Sequence, residues 1–468
     1  MLMEKKQVKP FGMADKIGYA FGDFGNDFTF MLSSMFMMKF YTDIMGVAPA
    51  IVGLLMMAAR FVDAFTDVTM GQIVDRSKPT KDGKFKPWIR RMCGPLGISA
   101  FLIFQSGFAG MPMAFKIFWM FFTYLLWGSI FYTSVNIPYG SMASAVSAEP
   151  NDRVQLSTFR SMGAAMASLV IGTCTPLVAY TVVDGATVLS GSRMTVIAGV
   201  FAVCGIICHL LCFRLVTERV EVPQNTTKLD VIKMLKSIVS NRSLLGIIAA
   251  AILLLLGMLG MTGMAPYVFP VYYNSGSAQS MSSLTSNLVG ILICTPLAPI
   301  IAAKMGKKEM SVLGCLFSTV VWVVCLILRP QNATVYVVFY TVAYFGMSMF
   351  NFVIWAMITD VIDDAEVKNG IREDGTIYSV YSFARKLGQA LSSGMIGAFM
   401  TMIGYTSVVA KSPADYPEVL ENIFNLSCII PAVGMLAVAL ALIFIYPLSK
   451  ARVAANVAEL KKRRGENA

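Results

Sequence analysis

The chain has 468 residues and a formal net charge of +11, and 56% of its residues are hydrophobic while only 14% are charged. A water-soluble fold of this length needs more polar surface than a mean hydropathy of +0.66 provides. The composition therefore excludes a soluble protein and predicts one that crosses the membrane many times. The nine cysteines and the single histidine show no spacing typical of a metal or redox centre.

Apolar runs of at least about 20 residues, the length needed to cross a bilayer, predict twelve transmembrane helices. The spans are 17–41, 50–74, 92–110, 115–145, 154–183, 194–215, 244–272, 281–303, 310–328, 335–360, 377–408 and 423–447. They predict an N-terminal six-helix bundle (1–215), a cytoplasmic central loop (216–243), a C-terminal six-helix bundle (244–447) and a basic cytoplasmic tail (448–468). The fold class is thus an all-α membrane protein with two pseudo-symmetric bundles, a plan typical of transporters with a midplane site.

Lys and Arg residues alternate between the two sides of this predicted topology. They are dense from Arg76 to Arg91 and in the central loop, whereas the opposite loops show isolated cations such as Lys116 and Arg193. The positive-inside rule then places both termini in the cytoplasm of a multi-pass protein in the cell (inner) membrane. No cleavable signal is evident before the first span. The net charge follows from this topology, and we predict no nucleic-acid partner.

Several charged residues lie inside the predicted spans, where each costs at least ~2.5 kcal/mol at the bilayer centre. Two aspartates, one helical turn apart, occur on the first span, and an arginine and two aspartates occur on the second. The full set is Asp23, Asp27, Arg60, Asp63, Asp67, Arg160, Asp360, Arg385 and Lys386. Such groups must pair, hydrate or bind a ligand.

Two interpretations of these charges stay open. One is a set of salt bridges that lock the bundles: Arg60 with Asp63 or Asp67, Arg160 with Asp27, and Lys386 with an aspartate. The other is a transport path, in which paired carboxylates and a hydroxyl oxygen bind Na⁺ or carry a proton. Aromatic residues at helical spacing either stack on a sugar ring or pack; these are Tyr124, Trp127, Tyr132 and Trp355. His209 is the only histidine, so it cannot form a histidine proton relay, and it is predicted to be a lone interior residue.

Five motifs occur in order along the chain. They are Gly22-Asp23-Phe24-Gly25-Asn26-Asp27, Arg60-x-x-Asp63-x-x-x-Asp67-x-x-Met70-Gly71, Gly83-Lys84-Phe85-Lys86-Pro87-Trp88, Asn136-Ile137-Pro138-Tyr139-Gly140, and Asp360-x-x-Asp363-x-x-Glu366 with Lys386-x-Gly388 further on. Together they resemble the glycoside–pentoside–hexuronide:cation symporter family of the major facilitator superfamily, whose members include melibiose carriers. The likeness runs from the first span to the eleventh.

The resemblance implies a role for individual residues. Asp63 and Asp67 match the family's cation-binding aspartates, Thr133 matches its hydroxyl ligand, and Lys386 matches a lysine close to that site. Asp27 matches the carboxylate that accepts sugar hydroxyls, and Arg160 matches the arginine beside it. Asp23 and Trp355 complete the predicted substrate-binding set.

The chain also departs from the family's melibiose carriers. Asn136 replaces a second sugar-binding aspartate, and Gly140 replaces a tryptophan. An amide still bonds hydroxyls but lacks the negative charge, so Arg160 and Arg385 favour an acidic sugar, whereas Asp27 would repel one. Thr66 stands in place of an asparagine, which leaves the choice between Na⁺ and H⁺ open.

We therefore predict a secondary active symporter that imports a glycoside, pentoside or hexuronide with Na⁺ or H⁺ by alternating access, with no other cofactor. Four charged residues are expected to form cross-bundle pairs that latch the outward-facing state: Asp75, Arg76, Glu366 and Arg372. A lipid-like or other non-sugar substrate on the same scaffold is the alternative, as is a non-transporting sensor, for which we would expect an added soluble domain. No nucleophile–base pair, metal cluster or phosphate loop predicts an enzyme.

Overall fold

The computed structural model describes residues 9–220, 241–370 and 374–463, and these residues are almost entirely helical. Within them, twelve helices have 18 residues or more. These are α1 Met13–Asp43, α2 Pro49–Arg76, α3 Lys86–Ile103, α4 Met113–Val146, α5 Pro150–Ala179, α6 Gly191–Leu215, α7 Arg242–Tyr272, α8 Gly276–Met305, α9 Lys307–Leu328, α10 Ala333–Asn369, α11 Asp374–Met402 and α12 Pro417–Phe444. A shorter helix, α13 (Lys450–Arg463), follows them. The all-α prediction is confirmed.

Eight of the twelve helices, α4 to α10 and α12, are long and apolar enough to cross a membrane. The other four, α1, α2, α3 and α11, carry charged residues within or beside their apolar runs, which lowers their hydropathy. Large apolar side chains such as Phe65, Leu292 and Ile327 are at least two-thirds exposed. Lipid tails tolerate such a surface while the helices satisfy their own backbone hydrogen bonds.

The described residues divide into two compact units. The first contains α1 to α6 and a short helix, Ser407–Lys411; the second contains α7 to α13. In the first, α1 packs on α5 and α6, and α3 packs on α6; in the second, α7 packs on α11 and α12, and α9 packs on α12. Each pair recurs six helices later, as two pseudo-symmetric six-helix bundles require. The predicted central loop lies mostly outside the described residues, and its boundaries stay a prediction.

The predicted end of the fifth span is wrong because a β-hairpin follows α5. Strand β1 (Tyr180–Val183) pairs antiparallel with β2 (Ala186–Leu189). Asp184 and Gly185 form the turn with φ angles of 50° and 80°, as a type I′ hairpin requires. The Asp-Gly dipeptide between β-branched residues was a local signal for this hairpin, but the apolar run masked it.

The third and eleventh spans were also misplaced. The third helix covers Lys86–Ile103 instead of 92–110, because Pro87 starts it early. The eleventh ends at Met402 instead of 408, and Gly404 at a φ of 79° ends the helical course.

The start of α3 is fixed by a carboxylate from the segment after α6. Glu218 accepts the backbone N–H groups of Lys84, Phe85 and Lys86 at 2.7, 2.9 and 2.8 Å. A helix leaves its first N–H groups without intrahelical partners, so this carboxylate caps α3. The site requires Gly83, because a Cβ there would lie 2.5 Å from the Glu218 carboxyl carbon.

A buried carboxylate likewise holds α13 against the second unit. Asp364 is 1% exposed and accepts Ser243 Oγ at 2.6 Å and Asn456 Nδ2 at 3.1 Å. Lys368, one turn along α10, neutralises its charge. Asp364 thus joins α10, the start of α7 and α13.

Candidate cation and substrate sites

Two hydroxyl groups of α4 meet two carboxylates of α2. Ser129 Oγ donates to Asp63 Oδ1 at 2.6 Å, and Thr133 Oγ1 donates to Asp67 Oδ1 at 2.8 Å. Asp63 is 7% exposed and Thr133 is 3% exposed. On both helices the partners are four residues apart, which places each pair on one face. The structure therefore brings the predicted residues Asp63, Asp67 and Thr133 together and adds Ser129.

A π-helical stretch, Leu125–Tyr132, interrupts α4 at this place. Such stretches often mark functional sites, because they free backbone carbonyls from the regular α-helical pattern. Thr133 Oγ1 also lies 3.2 Å from the carbonyl oxygen of Gly128, five residues earlier. Gly128 itself faces α2, since a Cβ there would lie 3.7 Å from Asp63 Oδ1. Sequence reasoning missed Ser129, although its spacing of four from Thr133 was visible.

Arg60 compensates part of the negative charge. Its Nη1 lies 3.4 Å from Asp63 Oδ2, and its guanidinium lies 5.1 Å from the Phe30 ring centroid. The salt-bridge interpretation is confirmed for Arg60 and Asp63. The Thr66 hydroxyl donates to the main-chain carbonyl oxygen of Asp63 rather than to its carboxylate.

The donor set is entirely oxygen. It contains the carboxylates of Asp63 and Asp67, the hydroxyls of Ser129 and Thr133, and the nearby Gly128 carbonyl. A hydroxyl that donates to a carboxylate keeps lone pairs for a cation, and hard cations prefer oxygen ligands. The same carboxylate pair could instead bind a proton. The chemistry of the site suits either coupling ion.

The partner of Arg160 is Asp23. Arg160 Nε donates to Asp23 Oδ1 at 3.1 Å, so the predicted alternative pairing with Asp27 is wrong. The reason is the level at which α5 meets α1: a Cβ on Gly163 would lie 2.2 Å from the Ala20 carbonyl oxygen. That close approach lies within one turn of Arg160 and brings its side chain to Asp23, one turn before Asp27.

Asp27 and Asn136 keep hydrogen-bonding capacity for a ligand. Asp27 is half-buried, and no hydrogen bond or ion pair reaches its carboxylate from the residues that the structure describes. Asn136 is also half-buried, and its Oδ1 lies 3.5 Å from Asn26 Nδ2. Gly140 leaves open space beside Arg160, because a Cβ there would still be 4.0 Å from Arg160 Nη1.

Two tyrosines fasten α1 to α4 beside this group. Tyr19 and Tyr139 each donate their hydroxyl to the other's carbonyl oxygen, at 3.2 and 2.6 Å, and their rings stack at 4.6 Å. Gly22 makes room for Tyr139, since a Cβ there would lie 2.2 Å from Tyr139 Cε2. The Arg160 guanidinium lies 5.3 Å from the Tyr139 ring centroid. The arginine is therefore held by both a carboxylate and an aromatic face.

Trp355 belongs to the second unit. It is 43% exposed, and its ring centroid is 5.5 Å from that of Tyr378. The Arg385 guanidinium lies 5.5 Å from the Trp355 ring, and its Nη1 donates to the Tyr381 hydroxyl at 3.3 Å. Among the described residues, no carboxylate lies within ion-pair distance of Arg385. An exposed indole beside such a guanidinium can stack on a sugar and attract an anionic group.

The structure decides three further sequence expectations. Asp360 is paired, because Lys307 Nζ binds both of its carboxylate oxygens at 2.7 and 2.9 Å. Tyr124 and Trp127 are almost fully buried and pack within the first unit. His209 is an interior residue, as predicted, and is 1% exposed; its Nδ1 lies 2.7 Å from the Gly205 carbonyl oxygen and its Nε2 lies 3.1 Å from Asn26 Oδ1.

The predicted gating residues lie at helix ends. Asp75 and Arg76 are in the last turn of α2, and within the described part of the chain neither makes an ion pair. Glu366 is near the end of α10, and Arg372 lies outside the described residues. Lys386 is on α11, and its predicted closeness to the cation-binding aspartates stays a prediction.

A family model described as MFS/sugar transport protein matches residues 18–450. The chain belongs to this family. The glucuronide carrier protein homolog of Escherichia coli (strain K12) is 28% identical over 454 residues, which cover 96% of this chain and 95% of that protein. The isoprimeverose transporter of Lactiplantibacillus pentosus is 28% identical over 436 residues, which cover 92% and 88%.

The crystal structure of a D-xylose–proton symporter shares the fold. It superposes with a TM-score of 0.62 at 14% identity, covering 93% of this chain and 97% of the symporter. The major facilitator fold and the resemblance to the glycoside–pentoside–hexuronide:cation symporters are thereby confirmed. The protein is a multi-helix membrane transporter of the sugar-transporting family and not an enzyme.

Proposed function

We propose that this family member is a secondary symporter that imports a glycoside, pentoside or hexuronide together with Na⁺ or H⁺. The observation that carries the proposal is the oxygen-lined cluster between α2 and α4. Its two carboxylates and two hydroxyls are joined by hydrogen bonds of 2.6 and 2.8 Å, and Arg60 Nη1 lies 3.4 Å from Asp63 Oδ2. Intramembrane ionisable residues of this kind usually mark a transport path.

The coupling ion would act through α4. A cation bound among the carboxylates and hydroxyls of the α2–α4 cluster would offset negative charge and lower the cost of burying these carboxylates when the site closes. Thr133, which would bind that cation, lies within one helical turn of Asn136, which would bind the sugar. Ordering the π-helical stretch around the cation therefore also orders Asn136, and by linkage sugar and cation strengthen each other's binding.

Sugar hydroxyls would be bound by the first unit. Asp27 offers acceptor oxygens, Asn136 offers an amide, and the Asp23–Arg160 pair offers both donors and acceptors. The proposed latch by Asp75, Arg76, Glu366 and Arg372 would then be opened in each transport cycle.

The choice between a neutral and an acidic sugar rests on different residues. Arg160 is compensated by Asp23, but Arg385 is held by aromatic groups, which favours an anionic substrate group and so a hexuronide. Asp27 favours a neutral glycoside, because it would repel an anion. The relatives include both a glucuronide carrier protein homolog and an isoprimeverose transporter. A cell-membrane location with both termini in the cytoplasm follows from the Lys and Arg distribution.

Uptake into membrane vesicles tests the proposal. Radiolabelled neutral glycosides and glucuronides would be supplied with an imposed Na⁺ gradient, a proton gradient or neither. We expect one gradient to drive accumulation of one class of sugar, and Asp63→Asn or Asp63→Cys to abolish that accumulation while downhill equilibration continues.

Asp184→Asn is the matched control, because it removes a carboxylate from the exposed hairpin turn, where asparagine tolerates the positive φ. It should accumulate sugar like the unmodified chain. Gradient-driven accumulation by Asp63→Asn would overturn the cation assignment. Failure of every sugar under every gradient would overturn the symport proposal and favour a non-sugar substrate or a sensor.

A further inference from the structure

A chain of buried polar side chains leads from α6 to the proposed sugar site. His209, on α6, lies against Asn26, on α1, and Asn26 lies against Asn136, on α4, with contacts of 3.1 and 3.5 Å. His209 and Asn26 are each 1% exposed. The ring is fixed in place, because Gly25 approaches so closely that a Cβ there would lie 3.0 Å from both Nδ1 and Cε1 of His209.

The hydrogen-bonding capacity of these groups dictates their order. The Gly205 carbonyl oxygen only accepts, so His209 Nδ1, at 2.7 Å from it, must carry a proton. A neutral imidazole has one donor and one acceptor, which leaves Nε2 as the acceptor. A doubly protonated ring would be a buried cation, and among the described residues no carboxylate lies within ion-pair distance of it. Such a buried charge is costly.

Asn26 must therefore present its NH₂ group to His209. The oxygen and nitrogen of a side-chain amide exchange places when the amide turns by 180°, and they are assigned from their hydrogen-bond partners. With its NH₂ group toward His209, Asn26 points its Oδ1 toward Asn136. Asn136 must then donate its own NH₂ group to Asn26. The oxygen of Asn136 is left for a ligand.

We propose that His209 is a positioning residue that, through Asn26, turns the carbonyl oxygen of Asn136 toward the substrate. Asn136 then accepts a hydrogen bond from a sugar hydroxyl. This supplies the acceptor that an aspartate would supply at the same place, without its negative charge. The inference rests on the proposed sugar-binding role of Asn136 and makes His209, which touches no sugar, a determinant of sugar affinity.

The protonation pattern is directly measurable, because His209 is the only histidine in the chain. The full-length protein would be labelled with ¹⁵N-histidine, purified through a tag that lacks histidine, and studied by solid-state NMR in lipid. We expect a protonated Nδ1 and an unprotonated Nε2. The opposite tautomer, or a doubly protonated ring, would overturn the proposal.

Sugar binding tests the consequence. His209→Gln keeps an acceptor near the position of Nε2 and should retain most of the affinity. His209→Asn reaches Gly205 but not Asn26, and should raise the sugar KM about 10-fold, as for the loss of one hydrogen bond, with the cation half-saturation unchanged. Cys208→Ala, a buried neighbour on α6, controls for general damage to the helix.

The direction of the hydrogen bonds from His209 through Asn26 to Asn136 gives a second, more specific readout. Asn136→Asp would force Asn26 to donate to the new carboxylate and to turn its oxygen toward His209 Nε2, where two acceptors would meet. Combining it with His209→Gln, whose amide can donate instead, should recover at least part of the lost affinity. Equal KM values for His209→Gln and His209→Asn, or no recovery in the double variant, would overturn the proposal.

These outcomes separate this inference from the proposed function. If the protein binds no sugar, the symporter proposal and the substrate role of Asn136 are both refuted. The NMR result would still decide the hydrogen-bond order of His209, since it requires no transport.

Discussion

The hydroxyl of Ser129 donates a 2.6 Å hydrogen bond to Oδ1 of Asp63 and joins α4 to α2 inside the first unit. Removing this hydroxyl should have opposite effects on the two candidate ions. Ser129→Ala removes a cation ligand, so the Na⁺ concentration for half-maximal uptake should rise about 10-fold. It also removes a donor that favours the ionised carboxylate, so a proton-coupled carrier should be half-activated at a higher pH.

The measurement is initial uptake rate against Na⁺ concentration and against pH. Ser134→Ala is the control, because the Ser134 hydroxyl donates to the Ile130 carbonyl oxygen one turn away and meets no carboxylate among the described residues. An unchanged response of Ser129→Ala to both ions would show that Asp63 is not part of the coupling site.

The Asp23–Arg160 pair should act as a unit in sugar binding. Arg160→Gln and Asp23→Asn should each raise the sugar Kd by about 10-fold, because each leaves the other charge without its partner. The double variant should lose less binding free energy than the sum of the losses in the two single variants, with a coupling free energy of ~1 kcal/mol or more. Calorimetric titration of each purified variant with sugar would measure the Kd values.

Arg160→Lys should not restore full affinity, because an ammonium lacks the planar group that lies on the Tyr139 ring. Arg153→Gln, on the same helix and bonded to the Ser147 carbonyl oxygen, is the control and should bind like the unmodified chain. Strict additivity of Asp23→Asn and Arg160→Gln would argue against a functional pair.

Glu218→Ala should destabilise the first unit. It leaves three backbone N–H groups at the start of α3 without their acceptor, a loss of roughly 1–3 kcal/mol. Thermal unfolding in detergent should show a lower Tm for Glu218→Ala. Glu218→Gln keeps one acceptor oxygen, so its Tm should lie between those of Glu218→Ala and the unmodified protein. A Tm equal to that of the unmodified protein would mean that water or another group caps α3 as well.

Asp364→Ala should release α13. Ser243 and Asn456 lose their shared acceptor, at a cost of roughly 1–3 kcal/mol, so amide hydrogen exchange in α13 should accelerate. Glu459→Gln breaks only an exposed pair with Arg463 on the same helix, a type of pair that contributes little. Equal exchange rates in the two variants would show that α13 is held by other contacts.

The sequence by itself predicted twelve long helices, the positions of the charges within the apolar runs, and the placement of Asp63 and Asp67 on one face of a helix; Thr133 entered only through the family resemblance. This was possible because helical periodicity is local. Residues four apart share a face whatever surrounds them, and the scarcity of charge in apolar runs makes each exception visible. The hairpin turn at Asp184 was also a local signal, although a run of apolar residues on either side concealed it.

Only the tertiary structure decided which groups meet across helices. Periodicity fixes the face of a helix but not the level at which it contacts its neighbour. The close contact at Gly163 selects Asp23 over Asp27 as the partner of Arg160, and the close approach at Gly25 holds the His209 ring, whose Nε2 contacts Asn26. Both outcomes depend on main-chain packing between segments distant in sequence, which no spacing of letters along one helix records.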